Sequence, residues 1–193
     1  MTVMLLEALL KEIADERPRD LTFHGAQYFD KNGKPLLSWR VQILPFIEEA
    51  PLYKEFHLDE PWDSEHNKPL IANMPRIYGN PSRPMDSKTN YLVPVGPGTV
   101  FEGDKGLKIS QITDGTSNTI LAVEANEDRA VIWSKPDDLP VNLEKPLTGL
   151  GGLRPSGFQA IFCDGSVRLI SNSSDLQALK ALFTYAGGDN VAP

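Results

Sequence analysis

The sequence Phe158-Gln159-Ala160-Ile161-Phe162-Cys163-Asp164-Gly165-Ser166-Val167-Arg168-Leu169-Ile170 decides the fold class. Both of its ends are rich in aromatic and aliphatic residues, and the Asp164-Gly165 pair between them is typical of a tight β-hairpin turn. We therefore predict an antiparallel hairpin at the centre of a sheet. Alternate residues of the first strand should face opposite sides, with Phe158, Ala160 and Phe162 on one side and Gln159, Ile161 and Cys163 on the other. Because both sides carry apolar residues, we expect both to be covered, one of them by a helix.

The rest of the second half extends this pattern. Three short runs of branched and aromatic residues predict further strands at Tyr91–Val93, Thr119–Val123 and Val131–Trp133. A final helix is predicted after Ser174-Asp175-Leu176-Gln177, which has the pattern of a capping box, and Gly187-Gly188 should end it. The fold class is therefore α+β with an antiparallel sheet.

The first half predicts short helices instead of strands. Ser38 can cap one helix that Pro45 kinks or ends, and another begins with Pro51 in its first turn and runs to Phe56. A third should follow Asp63 or Ser64 and end at Met74. The proline-rich loop of residues 79–88 then separates the helical half from the strand-rich half.

The N-terminal segment Met1–Arg17 predicts an amphipathic helix that Pro18 ends. Its apolar residues recur at helical spacing: Met4, Leu5, Ala8, Leu9 and Ile13. A lone helix of this length is marginal in water, so we expect this stripe to meet a partner surface, either the sheet of the same chain or a neighbour. We divide the chain into this helix, residues 1–17, and a single α+β domain, residues 18–193.

Composition excludes several classes of partner. The chain has 193 residues and a formal net charge of −7, and it contains no basic stripe that could pair with phosphates. We therefore expect neither a nucleic-acid nor an anionic-membrane partner. The apolar runs are too short to span a bilayer, and residues 1–10 lack the basic start of a signal peptide. The single cysteine, Cys163, excludes an internal disulfide and a cysteine-based zinc site.

Candidate catalytic groups are sparse in the sequence. His57 lies close to four carboxylates, those of Glu55, Asp59, Glu60 and Asp63, and a hydrolase built on His57, Asp59, Glu60 and Asp63 is a remote alternative. The simpler interpretation is a surface loop with Trp62 tucked into the core. The sequence contains no nucleophile motif, and Cys163 lies in an apolar run where a thiol usually serves packing. We therefore expect no catalytic residues and no enzyme.

The polar cluster Asp114-Gly115-Thr116-Ser117-Asn118 has two interpretations. Oxygens of Asp114, Thr116 and Asn118 could bind a hard cation such as calcium. The same residues suit a tight turn stabilised by side-chain to backbone hydrogen bonds, which we favour. Otherwise we expect no cofactor.

Four ordered motifs together resemble a known family. They are Asp30-Lys31-Asn32-Gly33 with Ser38-Trp39 and the residues up to Glu48, Asp59-Glu60-Pro61-Trp62-Asp63 with His66-Asn67, Ile112 to Ile120 around Asp114-Gly115 and Asn118, and Gly157 to Ile170 around Asp164-Gly165. The set resembles the bacterial prepilin-type, processing-associated H-X9-DG domain. That is a domain of unknown function, also catalogued under a solute-binding-protein label. The resemblance covers roughly residues 21–188.

The chain departs from the family pattern in two places. The histidine that names the family would lie ten positions before Asp164, and that position is Arg154. Family members typically begin with a prepilin-like leader and a hydrophobic helix, whereas Met1–Arg17 is short and charged. We expect either an excised soluble part or a copy without its anchor.

The resemblance implies a pilin-like body, with an N-terminal helix laid on an antiparallel sheet and displayed outside the cytoplasm at the cell envelope. Our first hypothesis is accordingly a non-enzymatic, pseudopilin-like structural or assembly module that associates with protein partners or with itself. The second hypothesis is a module that binds a small solute or a carbohydrate. Its stacking surfaces would be aromatic rings, namely those of Trp39, Trp62, Trp133, Tyr28, Tyr53 and Tyr91.

Overall fold

The predicted hairpin is present. Strand β11 (Gly157–Phe162) pairs antiparallel with strand β12 (Val167–Ser171), and Asp164-Gly165 lies in the turn between them. The structure is a computed structural model that describes residues 22–23, 27–30, 33–81, 84–102 and 106–188. The predicted helix Met1–Arg17 lies outside these residues.

The hairpin belongs to a four-stranded antiparallel sheet. The strand order is β12-β11-β8-β5, where β8 is Ile120–Glu124 and β5 is Tyr91–Leu92. Strand β11 is therefore an inner strand, as predicted, whereas β12 forms an edge of the sheet. The fold class is α+β with an antiparallel sheet.

Side chains from the two faces of β11 enter two different apolar clusters. Ile161 and Cys163 belong to a first cluster, which contains most of the buried apolar residues from the first half of the chain. Phe158, Ala160 and Phe162 belong to a second cluster, together with Leu179 and Phe183 of the last helix. The predicted alternation is therefore confirmed, and a helix covers one face.

A bulge in β8 adjusts this alternation. Ile161 pairs with Ala122 and Phe162 pairs with Ile120, so that Leu121 has no partner of its own. Leu121 and Ala122 consequently both enter the first cluster, while Ile120 and Val123 enter the second. One extra residue in a strand produces this effect.

The edge strand is less covered than expected. Val167 and Leu169 lie on the same side of the hairpin as Ile161, yet their exposed fractions are 39% and 53%. The prediction that both faces are covered therefore holds for β11 and fails for β12 within the described residues.

The last helix, α3 (Leu176–Phe183), begins and ends at defined residues. The carboxylate of Asp175 accepts hydrogen bonds from the amides of Gln177 and Ala178 and caps the helix, one residue later than Ser174, the cap that the predicted capping box implies. Leu179 and Phe183, four residues apart, share the buried face. The helix ends at Phe183, before Gly187-Gly188, so the predicted end is late.

The short helices of the first half are largely confirmed. Helix α1 (Trp39–Gln42) is capped by the Ser38 hydroxyl, and a 3-10 helix at Leu44–Ile47 contains Pro45. Helix α2 (Ala50–Glu55) has Pro51 in its first turn. The third predicted helix is a 3-10 helix that starts only at Lys68 and ends at Asn73. Further 3-10 turns span Arg76–Tyr78, Ile109–Gln111 and Glu127–Arg129.

Short strand pairs complete the described fold. The antiparallel pairs are β1 (Thr22–Phe23) with β7 (Leu107–Lys108), β2 (Gln27–Phe29) with β3 (Pro35–Ser38), and β4 (Lys88–Thr89) with β9 (Val131–Ile132). One pair, β6 (Pro94–Val95) with β10 (Leu139–Pro140), is parallel and was not anticipated by the antiparallel prediction. Within the described residues, no helix has the length and hydropathy of a membrane span.

Candidate functional site

The two Asp-Gly turns meet at one end of the main sheet. The amide of Asp164 donates to the carbonyl of Thr116 over 3.1 Å, and the amide of Cys163 donates to the carbonyl of Thr119 over 2.9 Å. Gly115 and Gly165 have φ angles of +94° and +92°, which favour glycine. Motifs that are 50 positions apart in the chain therefore form one polar surface.

Asp114 uses its carboxylate to hold the C-terminal part of the chain. Its two oxygens accept hydrogen bonds from the amides of Gly187, at 2.6 Å, and Gly188, at 3.1 Å. The side-chain amide of Asn118 donates to the carbonyl of Asp114, and the hydroxyl of Thr119 donates to the carbonyl of Gly115. Asp114 and Asn118 thus both serve the fold.

This geometry bears on the calcium hypothesis. A cation held by the Asp114 carboxylate, Thr116 and Asn118 would compete with Gly187 and Gly188 for the carboxylate oxygens. No three histidine, cysteine, aspartate or glutamate side chains come together to hold a metal ion in the part of the chain that the structure describes.

Asp164 acts within its own turn. Its carboxylate accepts a hydrogen bond of 2.8 Å from the amide of Ser166, and the guanidinium of Arg168 lies 3.9 Å from its second oxygen. Arg168 also lies over the ring of Phe162, at 4.3 Å from the ring centre. The hairpin turn is therefore stabilised locally.

Arg154, which occupies the position of the family histidine, pairs with a buried carboxylate. Its Nε and Nη2 atoms lie 2.8 Å and 3.1 Å from the two oxygens of Glu124, the last residue of β8. The side chain of Glu124 is 2% exposed and that of Arg154 is 42% exposed. The hydrogen bond to Glu124 raises the pKa of Arg154 above its usual value. Arg154 thus neutralises Glu124 from the solvent side.

Neutral polar groups complete the surroundings of Glu124. The side-chain amide of buried Asn80 donates to Glu124 and to Asn90, and Asn90 donates to the carbonyl of Ala125. Tyr91 pairs with Glu124 across β5 and β8. Burial, followed by the negative charge of Glu124, raises the pKa of Tyr91 to about 12. Together with Arg154, these groups compensate the buried negative charge of Glu124 at the end of β8.

The residues of the hydrolase alternative lie on a surface loop. His57 Nδ1 lies 2.9 Å from Glu60, and the two side chains are 50% and 39% exposed. This hydrogen bond, followed by one from Ser64, holds the pKa of Glu60 below its usual value. Asp59 and Asp63 are exposed. The loop thus places His57 and Glu60 together but leaves both side chains partly exposed.

Two contacts hold this loop in shape. The rings of His57 and His66 are stacked, with centres 3.4 Å apart. Buried Asn67 accepts a hydrogen bond from the amide of His57 and donates to the carbonyls of His57, Glu60 and Pro61. The segment from His57 to His66 therefore folds around the side chain of Asn67, which bonds to its backbone.

Three of the six candidate stacking rings are internal. Trp39, Trp133 and Tyr91 are buried, at 2%, 0% and 2% exposure. Trp62 and Tyr53 are half-buried against the first cluster, and Lys135 Nζ lies 6.0 Å from the Trp62 ring. The side chain of Tyr28 lies outside the described residues. Among the rings described, only Trp62 and Tyr53 retain exposure for a ligand.

Cys163 lies in an environment that disfavours its thiolate. The thiol is buried, and burial followed by the charge of Asp164 raises its pKa. A thiol with a raised pKa supplies little of the reactive thiolate.

The buried pair Arg40–Asp138 was not among the residues predicted from the sequence. Arg40 Nη2 lies 2.7 Å from Asp138 Oδ1, and neither side chain is exposed. Trp39 Nε1 and the amide of Val93 donate to the same oxygen. Arg40 lies among the apolar residues of the run 39–44, and a charged residue in such a run could have indicated a buried ion pair.

The comparisons with known proteins concern the first half of the chain. Residues 16–99 match the model of a family described as "Protein of unknown function (DUF1559)", whose label is SBP_bac_10. The match includes the motifs around Trp39 and Trp62 and does not reach Arg154 or either Asp-Gly turn. No curated protein and no solved structure is significantly similar to the chain. Over residues 16–99, the chain is therefore similar to a protein family of unknown function.

Proposed function

We propose that the protein is a non-enzymatic, pseudopilin-like structural or assembly module of the bacterial cell envelope. The observation that carries this proposal is the role of Asp114. The Asp114 carboxylate, a candidate cation ligand in the sequence, accepts hydrogen bonds from the backbone amides of Gly187 and Gly188. Arg154, Glu124 and Asp164 are likewise bonded to their own chain. These four side chains thus stabilise the fold, and in this proposal the module works through its surface.

The N-terminal segment supplies the assembly surface in this proposal. The second half of its apolar stripe, near Leu9 and Ile13, lies on the sheet of the same chain, as in a pilin-like body. The first half, Met1–Leu6, docks on a neighbouring molecule. The exposed pair Val167 and Leu169 supports the first contact, because it leaves apolar sheet surface for the segment to cover.

A second candidate function is binding of a small solute or carbohydrate. The label of the matching family and the half-buried ring of Trp62 favour it. This hypothesis needs an aromatic face that a sugar can reach, and Trp39 and Trp133 are buried. It therefore rests on Trp62 and Tyr53. A hydrolase based on His57 and Glu60 would need a nucleophile or an activated water that the exposed loop does not provide, so we rank it last.

Two measurements separate these functions. Sedimentation of the full chain over a range of concentrations should show reversible self-association if the protein is an assembly module. Thermal melts in the presence of a panel of mono- and disaccharides should leave the melting temperature unchanged. A monomer at all concentrations together with a saccharide-dependent rise in melting temperature would replace the assembly proposal with the binding one.

A further inference from the structure

The two histidines of the loop at residues 57–66 are stacked face to face. Their ring centres are 3.4 Å apart, and the ring planes differ by 2°. Nδ1 of His57 lies 2.9 Å from Glu60 Oε1, and Nε2 of His66 lies 2.7 Å from the carbonyl oxygen of Glu55, the last residue of α2. Both contacts are made to oxygen acceptors, so each of these nitrogens carries the hydrogen in the neutral ring. The nitrogens left to take up a further proton are Nε2 of His57 and Nδ1 of His66.

The two rings differ in the group that faces their charge. A proton on His57 turns its hydrogen bond to Glu60 into an ion pair. Glu60 is ionised throughout the range in which histidines titrate, because the hydrogen bonds from His57 and then from Ser64 hold its pKa below its usual value. His66 is bonded to a neutral backbone carbonyl instead. The first proton therefore goes to His57.

A second proton would place two positive charges face to face. Rings stacked at this distance leave no room for water between them, so the repulsion between two imidazolium rings is poorly screened. The remaining charged side chains around the loop are exposed, and water screens them. They are those of Lys54 and Glu55 on α2, Asp59, Asp63 and Glu65 on the loop, and Lys68 at the start of the next 3-10 helix. The stack therefore tolerates one positive charge better than two.

We infer that the His57–His66 stack is an acid-sensitive contact that holds one proton and opens on the second. The second proton, on Nδ1 of His66, separates the rings and takes the His66 side chain away from the carbonyl of Glu55. The side chain of Asn67 keeps its hydrogen bonds to the loop backbone, because backbone groups do not titrate. Acid thus detaches His66 from helix α2, while the rest of the loop keeps its shape.

Proton NMR of the imidazole rings, followed on the full chain from about pH 8 to about pH 4.5, tests this inference. We expect two protonation steps, with His66 needing about a tenfold higher proton concentration than His57, or more. The nuclear Overhauser effect between the two rings should be present before the second step and vanish during it. His57→Gln keeps a polar side chain but removes the first charge, so His66 should then take up its proton at an about tenfold lower proton concentration than in the parent.

Two further variants serve as controls. His66→Gln should leave the His57 step in place, because His57 takes up its proton first and Glu60 stays beside it. Asp63→Asn removes a charge from the same loop but keeps both rings, so it should leave the interval between the two steps unchanged.

The inference is overturned if His57→Gln leaves the His66 step where it is in the parent. It is also overturned if the Overhauser effect between the rings persists after both have taken up a proton. Neither readout depends on self-association, so the result is independent of the proposed function.

Discussion

Residue scale. Several polar side chains with solvent-shielded atoms hold together segments that are distant in the chain. Glu124, at the end of β8, is compensated by Arg154 from a glycine-rich loop and by Asn80 from the first half. Arg40 and Asp138 perform the same task between α1 and the segment before β10. A buried charge that loses its partner costs far more than the pair contributes, so such residues are sensitive positions.

The pair Arg154–Glu124 gives a quantitative prediction. Arg154→Met should lower the free energy of unfolding by about 2–3 kcal/mol, because Glu124 would remain buried without its cation. The double variant Arg154→Met with Glu124→Gln should recover part of this loss. Arg129→Met is the control, since Arg129 and Asp128 are exposed and 3.7 Å apart. Urea unfolding of the four proteins provides the measurement, and equal losses for Arg154→Met and Arg129→Met would contradict the account.

Tyr91 predicts a loss of stability at alkaline pH. Its pKa is raised by burial to about 12 in the folded protein, compared with 10.0 for the unperturbed group. The folded state therefore binds the phenolic proton more tightly than the unfolded state. The resulting stability is present below pH 10 and disappears as the pH rises from 10 towards 12. Between these limits the parent should lose about 1–2 kcal/mol more than Tyr91→Phe does. Urea unfolding at each pH provides the measurement. Equal losses of stability for the parent and for Tyr91→Phe would show that Tyr91 titrates normally.

Calcium should not stabilise the protein. The carboxylate of Asp114 already accepts two amide hydrogen bonds, so a cation must first displace the amides of Gly187 and Gly188. We expect the same melting temperature with millimolar calcium as with a chelator. A clear rise that Asp114→Asn abolishes would establish the metal site.

Element scale. The hairpin β11–β12 and helix α3 could be predicted because their signals are local. The Asp-Gly turn, the two-residue alternation and the Asp175 cap all lie within a few positions of the elements that they specify. The pairs β1–β7 and β6–β10 could not be predicted, since strands of two residues have no periodicity and are stabilised by partners that are distant in the chain. The contact between Arg40 and Asp138 could not be predicted either, because the two residues are distant in the chain.

The start of the hairpin depends on Gly157. A Cβ atom at this position would collide with the carbonyl oxygen of Ile170 on the paired strand. We expect Gly157→Ala to destabilise the protein by more than about 2 kcal/mol, as backbone clashes of this kind cannot relax without breaking the pairing. Gly33→Ala is the control, because Gly33 also has a positive φ, +78°, but nothing lies within 4 Å of an added Cβ. It should cost only about 1 kcal/mol. Comparable thermal melts for the two variants would refute the steric explanation.

Whole-molecule scale. The two halves of the chain share one apolar cluster. Leu37, Ile43 and Tyr78 from the first half pack in the same cluster as Leu121, Trp133 and Ile161 from the second. The sequence predicted a helical first half and a strand-rich second half, but the first half also contains strands β1 to β3, and β1 pairs with β7 of the second half. Strand β5, within the family match, is an edge strand of the sheet that the second half completes. The matched residues are therefore one part of a larger packing unit.

The N-terminal stripe carries the proposed assembly function. Deletion of Met1–Leu6 should remove self-association and leave the melting temperature nearly unchanged, because these residues are proposed to contact a neighbour. The matched variant, Leu9→Ser with Ile13→Ser in the full chain, should lower the melting temperature, because these side chains are proposed to lie on the sheet. The two variants therefore separate contacts within one molecule from contacts between molecules.

The most direct test of the account is sedimentation velocity of the parent and of the protein without Met1–Leu6, at equal concentrations and with thermal melts alongside. We predict larger species for the parent, a monomer for the shortened protein, and similar melting temperatures. A large loss of thermal stability with an unchanged oligomeric state would contradict the account.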